Sequence, residues 1–258
     1  MNRRFALAIA VVALLAVSAG CLTYVNDGGD VANETLDAEP PHEYDFDTDR
    51  DASINLSTGT QYTAVYNVTG VDEIRFYRQT PYTGDQPFEF EAFRYQYPDG
   101  EVVNGTEFRA RGGEVERTPD ETWVRFGEEM EGGRMALSAS GSPRRFTTLT
   151  YVEGSYAVTL PSGFSTDMPI VGHVSPRGHE VETVDGRDRI TWDSVTSGSV
   201  VVQSYRETDI LVFGVILVIA VIAAIVGTAY FRRQLEELRE RRRQMGLGVY
   251  EDDEDDES

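Results

Sequence analysis

A mainly β domain, sandwich-like and followed by one C-terminal transmembrane α-helix, is the fold class this sequence predicts. Three observations carry it. Short β-rich runs separated by turn signals fill Ser53 to Tyr205, no amphipathic helical repeat interrupts them, and an uncharged apolar run covers Ile210 to Tyr230.

The chain opens with Arg3 and Arg4, then an Ala/Val/Leu-rich run from Phe5 to Gly20 that ends in small residues before Cys21, the single cysteine. This is the layout of a signal peptide over residues 1–20. A lone cysteine has no internal disulfide partner, and its place directly behind Ala19 and Gly20 is the one that lipid attachment requires. Cys21 is therefore the expected lipidation site, with an uncleaved helix and a passive cysteine as the alternative. Residues 21–52 read as an acidic flexible linker: ten acids, one arginine and Pro40-Pro41 leave too little apolar surface to offset ordering entropy. Asp45, Asp47, Asp49 and Asp51 alternate as in the first half of a calcium loop. Arg50 stands where the turn glycine belongs and Leu56 where the bidentate glutamate belongs, so no metal site is expected.

The β-rich exterior domain is expected over residues 53–205. Gln61–Thr69, Glu73–Tyr77, Phe88–Tyr97, Thr122–Phe126 and Arg134–Ser138 alternate or carry aromatics, and Phe146–Tyr151, Tyr156–Leu160, Glu180–Val184, Arg189–Trp192 and Ser199–Tyr205 continue the series. Asp185-Gly186 between Val184 and Ile190 is a hairpin signal. In Phe88–Tyr97 the apolar phase switches between Ala92 and Phe93, which predicts a bulge. The spacing fits one large sandwich or two small ones, with 161–169 as the place for a subdivision.

Residues 210–230 suffice to span a hydrocarbon core, about 32 Å at 1.5 Å per residue. Arg232 and Arg233 follow at once, and the excess of positive charge there places the C-terminus in the cytoplasm and residues 21–209 outside the cell membrane, in a single-pass topology. Arg3 and Arg4 give the same orientation. Four of the six asparagines lie in N-x-S/T sequons, at Asn33, Asn55, Asn67 and Asn104, all in the part placed outside, and are the N-glycosylation candidates. Asn67 and Asn104, near turn glycines, lead among them. The charged tail 231–258 contains a short helical stretch, Gln234–Gln244, and seven consecutive acids, Glu251–Glu257. Small residues at Ala220, Ala224 and Thr228, and at Ala223 and Gly227, could support a weak homodimer through the span.

Composition narrows the setting and the chemistry. All 23 basic residues are arginine, against 44 acids, for a net charge of −21. Self-repulsion of that size opposes compaction in dilute buffer and is screened at molar salt, where the Debye length is about 3 Å. An extreme halophile is the natural reading, and nucleic acid is excluded as a partner for want of a net-basic surface. The chain holds no G-x-S-x-G, H-E-x-x-H, phosphate-cradling loop or dinucleotide fingerprint. His173 and His179 are the only plausible general bases of the β region, their spacing matches no zinc pattern, and neither catalytic residue, metal nor cofactor is assigned.

The lipobox-like Ala19-Gly20-Cys21, the acidic linker, the sequons, the β domain, the span and the arginine-plus-acidic tail together resemble a family of haloarchaeal membrane-anchored lipoproteins of unknown function. The resemblance implies no catalytic residues. The leading expectation is a non-enzymatic, cell-surface domain that contacts membrane lipid and interacts with an envelope protein or surface polysaccharide. Two alternatives stand beside it: a membrane-anchored hydrolase using His173 or His179, and a transmembrane signalling adaptor acting through the tail.

Overall fold

The computed structural model describes residues 28–80, 84–128, 130, 132–168, 171–244 and 246. Arg3, Arg4, Cys21 and the acidic run Glu251–Glu257 lie outside them. The described residues up to Ser204 form one compact unit and those from Tyr205 another.

The first unit is built on an eight-stranded sheet. Its order is β15 (Glu180–Val184), β16 (Arg187–Val195), β12 (Gly154–Thr159), β2 (Ala52–Leu56), β3 (Gln61–Asn67), β10 (Arg134–Ser140), β6 (Phe90–Gln96) and β7 (Val102–Asn104). All neighbours run antiparallel except β2 and β12, which pair in parallel from Tyr156 with Ala52 to Thr159 with Asn55. A five-stranded sheet follows the order β1 (Gly29–Asp30), β8 (Glu114–Arg117), β9 (Thr122–Arg125), β4 (Glu73–Thr80) and β5 (Gly84–Pro87). A third sheet holds β11 (Arg145–Leu149), β17 (Ser199–Gln203) and β14 (His173–Ser175). Two short helices, α1 (Asn33–Leu36) and α2 (Gly105–Ala110), and the two-residue strand β13 (Phe164–Ser165) complete the unit.

Local chemistry sets the predicted irregularities. Ala92 adopts φ +54°, and the β10–β6 register slips between Ala136 and Ser138, so the bulge falls where the apolar phase switches. Asp185 and Gly186 take φ +51° and +73°, the paired positive values of a two-residue hairpin turn between Val184 and Arg187.

One core unites the three sheets. In β3, Tyr62, Ala64 and Tyr66 point to the same side and are buried. Tyr66 meets Phe76 of β4 with ring centroids 6.2 Å apart, Phe76 meets Phe90 of β6 at 5.5 Å, and Tyr62 meets Phe146 of β11 at 4.9 Å in an edge-on contact. The β domain is therefore one sandwich-like body, and no boundary falls at 161–169, because strands from both sides of that segment pair in the eight-stranded sheet.

Residues 28–51 do not form a flexible linker. β1 pairs with β8, Leu36 is fully buried, and the Tyr44 hydroxyl donates to the Ala92 carbonyl at 2.6 Å while sharing a 2.8 Å hydrogen bond with Ser138. Arg94 clamps the end of α1 by donating to the carbonyls of Leu36 and Ala38, at 3.3 and 3.0 Å. Mean composition hid this because a few well-spaced side chains, Val31, Leu36, Tyr44 and Thr48, do the anchoring while most of the acids point outward.

The second unit holds β18 (Tyr205–Arg206) and α3 (Glu207–Gln244). The span and the helical stretch expected at Gln234–Gln244 are one uninterrupted helix of 38 residues. It is the one described helix long and apolar enough to cross a membrane. Its apolar side chains are uncovered by protein; Leu211 is 69% and Phe213 64% exposed, as a lipid-facing surface requires.

Candidate functional site

β4 is longer than its partner β9. Glu73–Phe76 pair with β9, and Tyr77–Thr80 pair instead with β5, so the outer half of β4 and β5 form an arm at one edge of the five-stranded sheet. β11 is the edge strand of the three-stranded sheet, with Phe146 and Thr148 turned into the core and Arg145 and Thr147 turned out. Between the arm and β11 lies a cleft of about 510 Å³. The Tyr151 hydroxyl joins its two sides by donating to the Tyr77 carbonyl at 3.1 Å.

The floor is aromatic. Tyr62, Phe88, Phe146 and Tyr151 line it, and Phe76 backs it, with its ring 4.5 Å from Tyr151 and stacked 6.0 Å from Phe88. The Arg78 guanidinium lies over the Phe88 ring, 5.1 Å from its centroid. Burial raises the Tyr62 and Tyr151 phenols well above the ordinary tyrosine range, against the opposing Arg78 charge, and so keeps both hydroxyls neutral.

The charge of the lining is its most unusual property. Among the described residues Arg78 and Arg145 line the cleft and no Asp or Glu does, in a chain that carries 44 acids. Neither arginine forms an ion pair among the described residues, whereas Arg125 alone engages Glu73, Glu114 and Glu116. Three other surface depressions of this unit contain carboxylates: Asp30, Glu89 and Glu91 in one, Asp47 and Asp99 in the next, Asp72 and Glu128 in a third. The cleft also presents hydroxyls. Tyr62 is only 3% exposed, yet its hydroxyl has no hydrogen-bond partner among the described residues. The side-chain hydroxyls of Ser140, Ser142 and Thr147 are likewise without one. Such a lining can hold an anionic or polyhydroxylated molecule; among the described residues it contains no histidine or carboxylate to move a proton.

The residues singled out from sequence lie elsewhere. His173 is exposed on β14, and His179 sits 5.9 Å from the Trp192 ring with its Nδ1 3.4 Å from the Pro176 carbonyl; neither contacts a serine or carboxylate side chain among the described residues. No group of three metal-ligating side chains occurs among the described residues. Of the sequons, Asn33 is exposed at the start of α1 and its Oδ1 accepts from Arg109 at 2.6 Å. Asn55 accepts from Arg187 within β2, and Asn67 donates its Nδ2 to Asp51 at 3.2 Å. Asn104 caps α2, accepting from the Glu107 amide at 2.9 Å. Arg232 and Arg233 are exposed on α3.

Sequence reasoning missed the cleft because its walls come from strands some 70 residues apart. The available signal was local: Gln61–Thr69 and Phe146–Tyr151 both pair aromatics with hydroxyl residues.

Fold and cleft together define a β domain joined in sequence to one helix able to cross a membrane. Residues 48–250 match the model of a family of unknown function (DUF5803), and the chain belongs to that family. No curated protein matches it.

Proposed function

We propose that this chain is a non-enzymatic, membrane-tethered binding protein whose β domain stands outside the cell of an extreme halophile and engages an envelope component, protein or surface polysaccharide, through the cleft between the β4–β5 arm and β11. The observation that carries the reading is the cleft's lining: among the described residues it holds two arginines without an acidic partner, an aromatic floor and free hydroxyls, and no carboxylate, on a chain of net charge −21. A patch that departs so far from the surrounding charge is a mark of recognition rather than of solubility. The apolar α3 supplies the tether, and the arginines from Arg232 onward favour a cytoplasmic C-terminus. Lipid on Cys21 would add a second, weaker tether, and glycans on the sequons would lie on the same outer domain.

The test is a photo-crosslinking amino acid at Thr147, exposed on β11, compared with one at Thr183, exposed on β15. In intact cells at native salt, Thr147 is expected to capture a discrete envelope component and Thr183 none. Equal capture at both positions, or none at Thr147, would reject the cleft as the engaged surface. One observation favours the adaptor as a second reading: span and basic segment share one helix to Gln244, a rigid path for a change of arrangement. Deletion of residues 234–258 without phenotype would count against it.

A further inference from the structure

We infer that the cleft takes an acidic saccharide, a run of sugar units carrying carboxylate or sulfate groups. This deepens the reading of the cleft as a binding surface and rests on it. Three features of the lining converge on that chemistry. Arg78 and Arg145 are exposed, lie on opposite walls, and lack acidic partners among the described residues, so two guanidiniums stand ready for bidentate contact with planar or tetrahedral oxyanions. At molar salt the field of a charge decays within about 3 Å, so only such direct contacts still discriminate.

The second feature is the hydroxyl set. Tyr62 places a hydroxyl without a partner on a side chain 3% exposed, and Ser140, Ser142 and Thr147 add three more around it. The Tyr62 ring is buried while its hydroxyl opens to the cleft, so that donor is held in place and available to a ligand. A sugar offers donors and acceptors at every carbon and satisfies such a set. An acidic peptide would occupy the arginines and leave the hydroxyls unmatched, while a neutral sugar would leave the arginines unmatched. The third feature is the half-buried ring of Tyr77, which carries the Arg75 guanidinium 4.3 Å from its centroid on one face and leaves the other for the apolar C–H face of a sugar ring. The volume, about 510 Å³, falls within the range of small-ligand sites, about 300–1,000 Å³.

The experiment uses the full chain in lipid nanodiscs at molar NaCl and measures calorimetric binding of oligogalacturonate, a heparin-derived oligosaccharide, maltohexaose and poly-L-glutamate. At least one acidic saccharide is expected to bind about tenfold or more tighter than maltohexaose and poly-L-glutamate. The double variant Arg78→Gln/Arg145→Gln should abolish that preference, Tyr62→Phe should weaken binding about fivefold, and Thr147→Glu should prevent it. Arg78, Arg145 and Thr147 are exposed, so their variants should melt as the parent does and separate loss of binding from loss of fold. Binding of maltohexaose or poly-L-glutamate as tight as that of the acidic sugars, or no binding of either acidic sugar, overturns the inference. The Thr147 crosslink distinguishes the two levels: capture of a protein there leaves the cleft a binding surface and removes the saccharide, and an empty Thr147 removes both.

Discussion

Asp51 shows how much one residue can carry. From the end of a stretch that composition marks as linker, its carboxylate accepts the Ser155 amide at 2.8 Å, the Ser155 hydroxyl at 2.9 Å and the Asn67 side-chain amide at 3.2 Å. These bonds tie β2, β3 and β12 at one point, and the Ser155 amide, the largest influence, holds the Asp51 carboxyl below its usual range. Asp37 is also lowered: burial pushes it up, and hydrogen bonds from Thr106 at 2.9 and 2.6 Å outweigh that. A carboxylate with a depressed folded pKa contributes stability that is present above its unfolded value, about 3.9, and is lost as pH falls through the folded value. The melting temperature is thus expected to hold above about pH 5 and to fall below about pH 4. Asp51→Ala should cost about 1–3 kcal/mol at neutral pH and make the acid limb shallower, as read by denaturant titration across pH. The same contacts rank the sequons. Asn67 spends its Nδ2 on Asp51, while Asn33 is exposed and engaged only through Oδ1, so glycopeptide mass spectrometry should find Asn33 modified more fully than Asn67.

At the scale of elements, α1 and α2 explain why residues 28–51 stay on the sheet. Asn104 and Glu107 form a reciprocal cap on α2, and Gly105 follows because a Cβ there would collide with Leu36 Cβ. Gly105→Ala should therefore lift α1 and cost about 1–3 kcal/mol, and Leu36→Ala, which empties the same contact, about 2–5 kcal/mol. If both variants melt as the parent does, α1 is not docked. The sequence carried the cap as a sequon and the glycine as a turn signal. Neither sign reveals a neighbouring helix, since α1 reaches that place from about 70 residues away.

For the whole molecule, charge and topology are the testable properties. With 44 acids against 23 arginines, cooperative folding of the β domain should weaken as NaCl drops far below molar, which a dichroism melt series will read; an unchanged melt removes the halophilic assignment. Orientation can be read in a Cys21→Ser background on a cysteine introduced by Thr147→Cys or by Arg243→Cys: in intact cells a membrane-impermeant maleimide should label the first and spare the second. The reverse pattern would invert the topology and, with it, the proposed place of action.

Ten of the strands, the bulge at Ala92, the hairpin at Asp185-Gly186 and the apolar helix were legible in the sequence because each depends on neighbours a few residues away: alternation, turn residues and an uninterrupted apolar run; the central strand β2 was not. The pairing of β2 with β12, the anchoring of residues 28–51 and the meeting of Arg78 with Arg145 across one cleft depend on contacts between distant segments. Such contacts are selected by shape and by the hydrogen bonds left over when strands associate. They arise only when the whole chain is packed, and tertiary structure alone decided them.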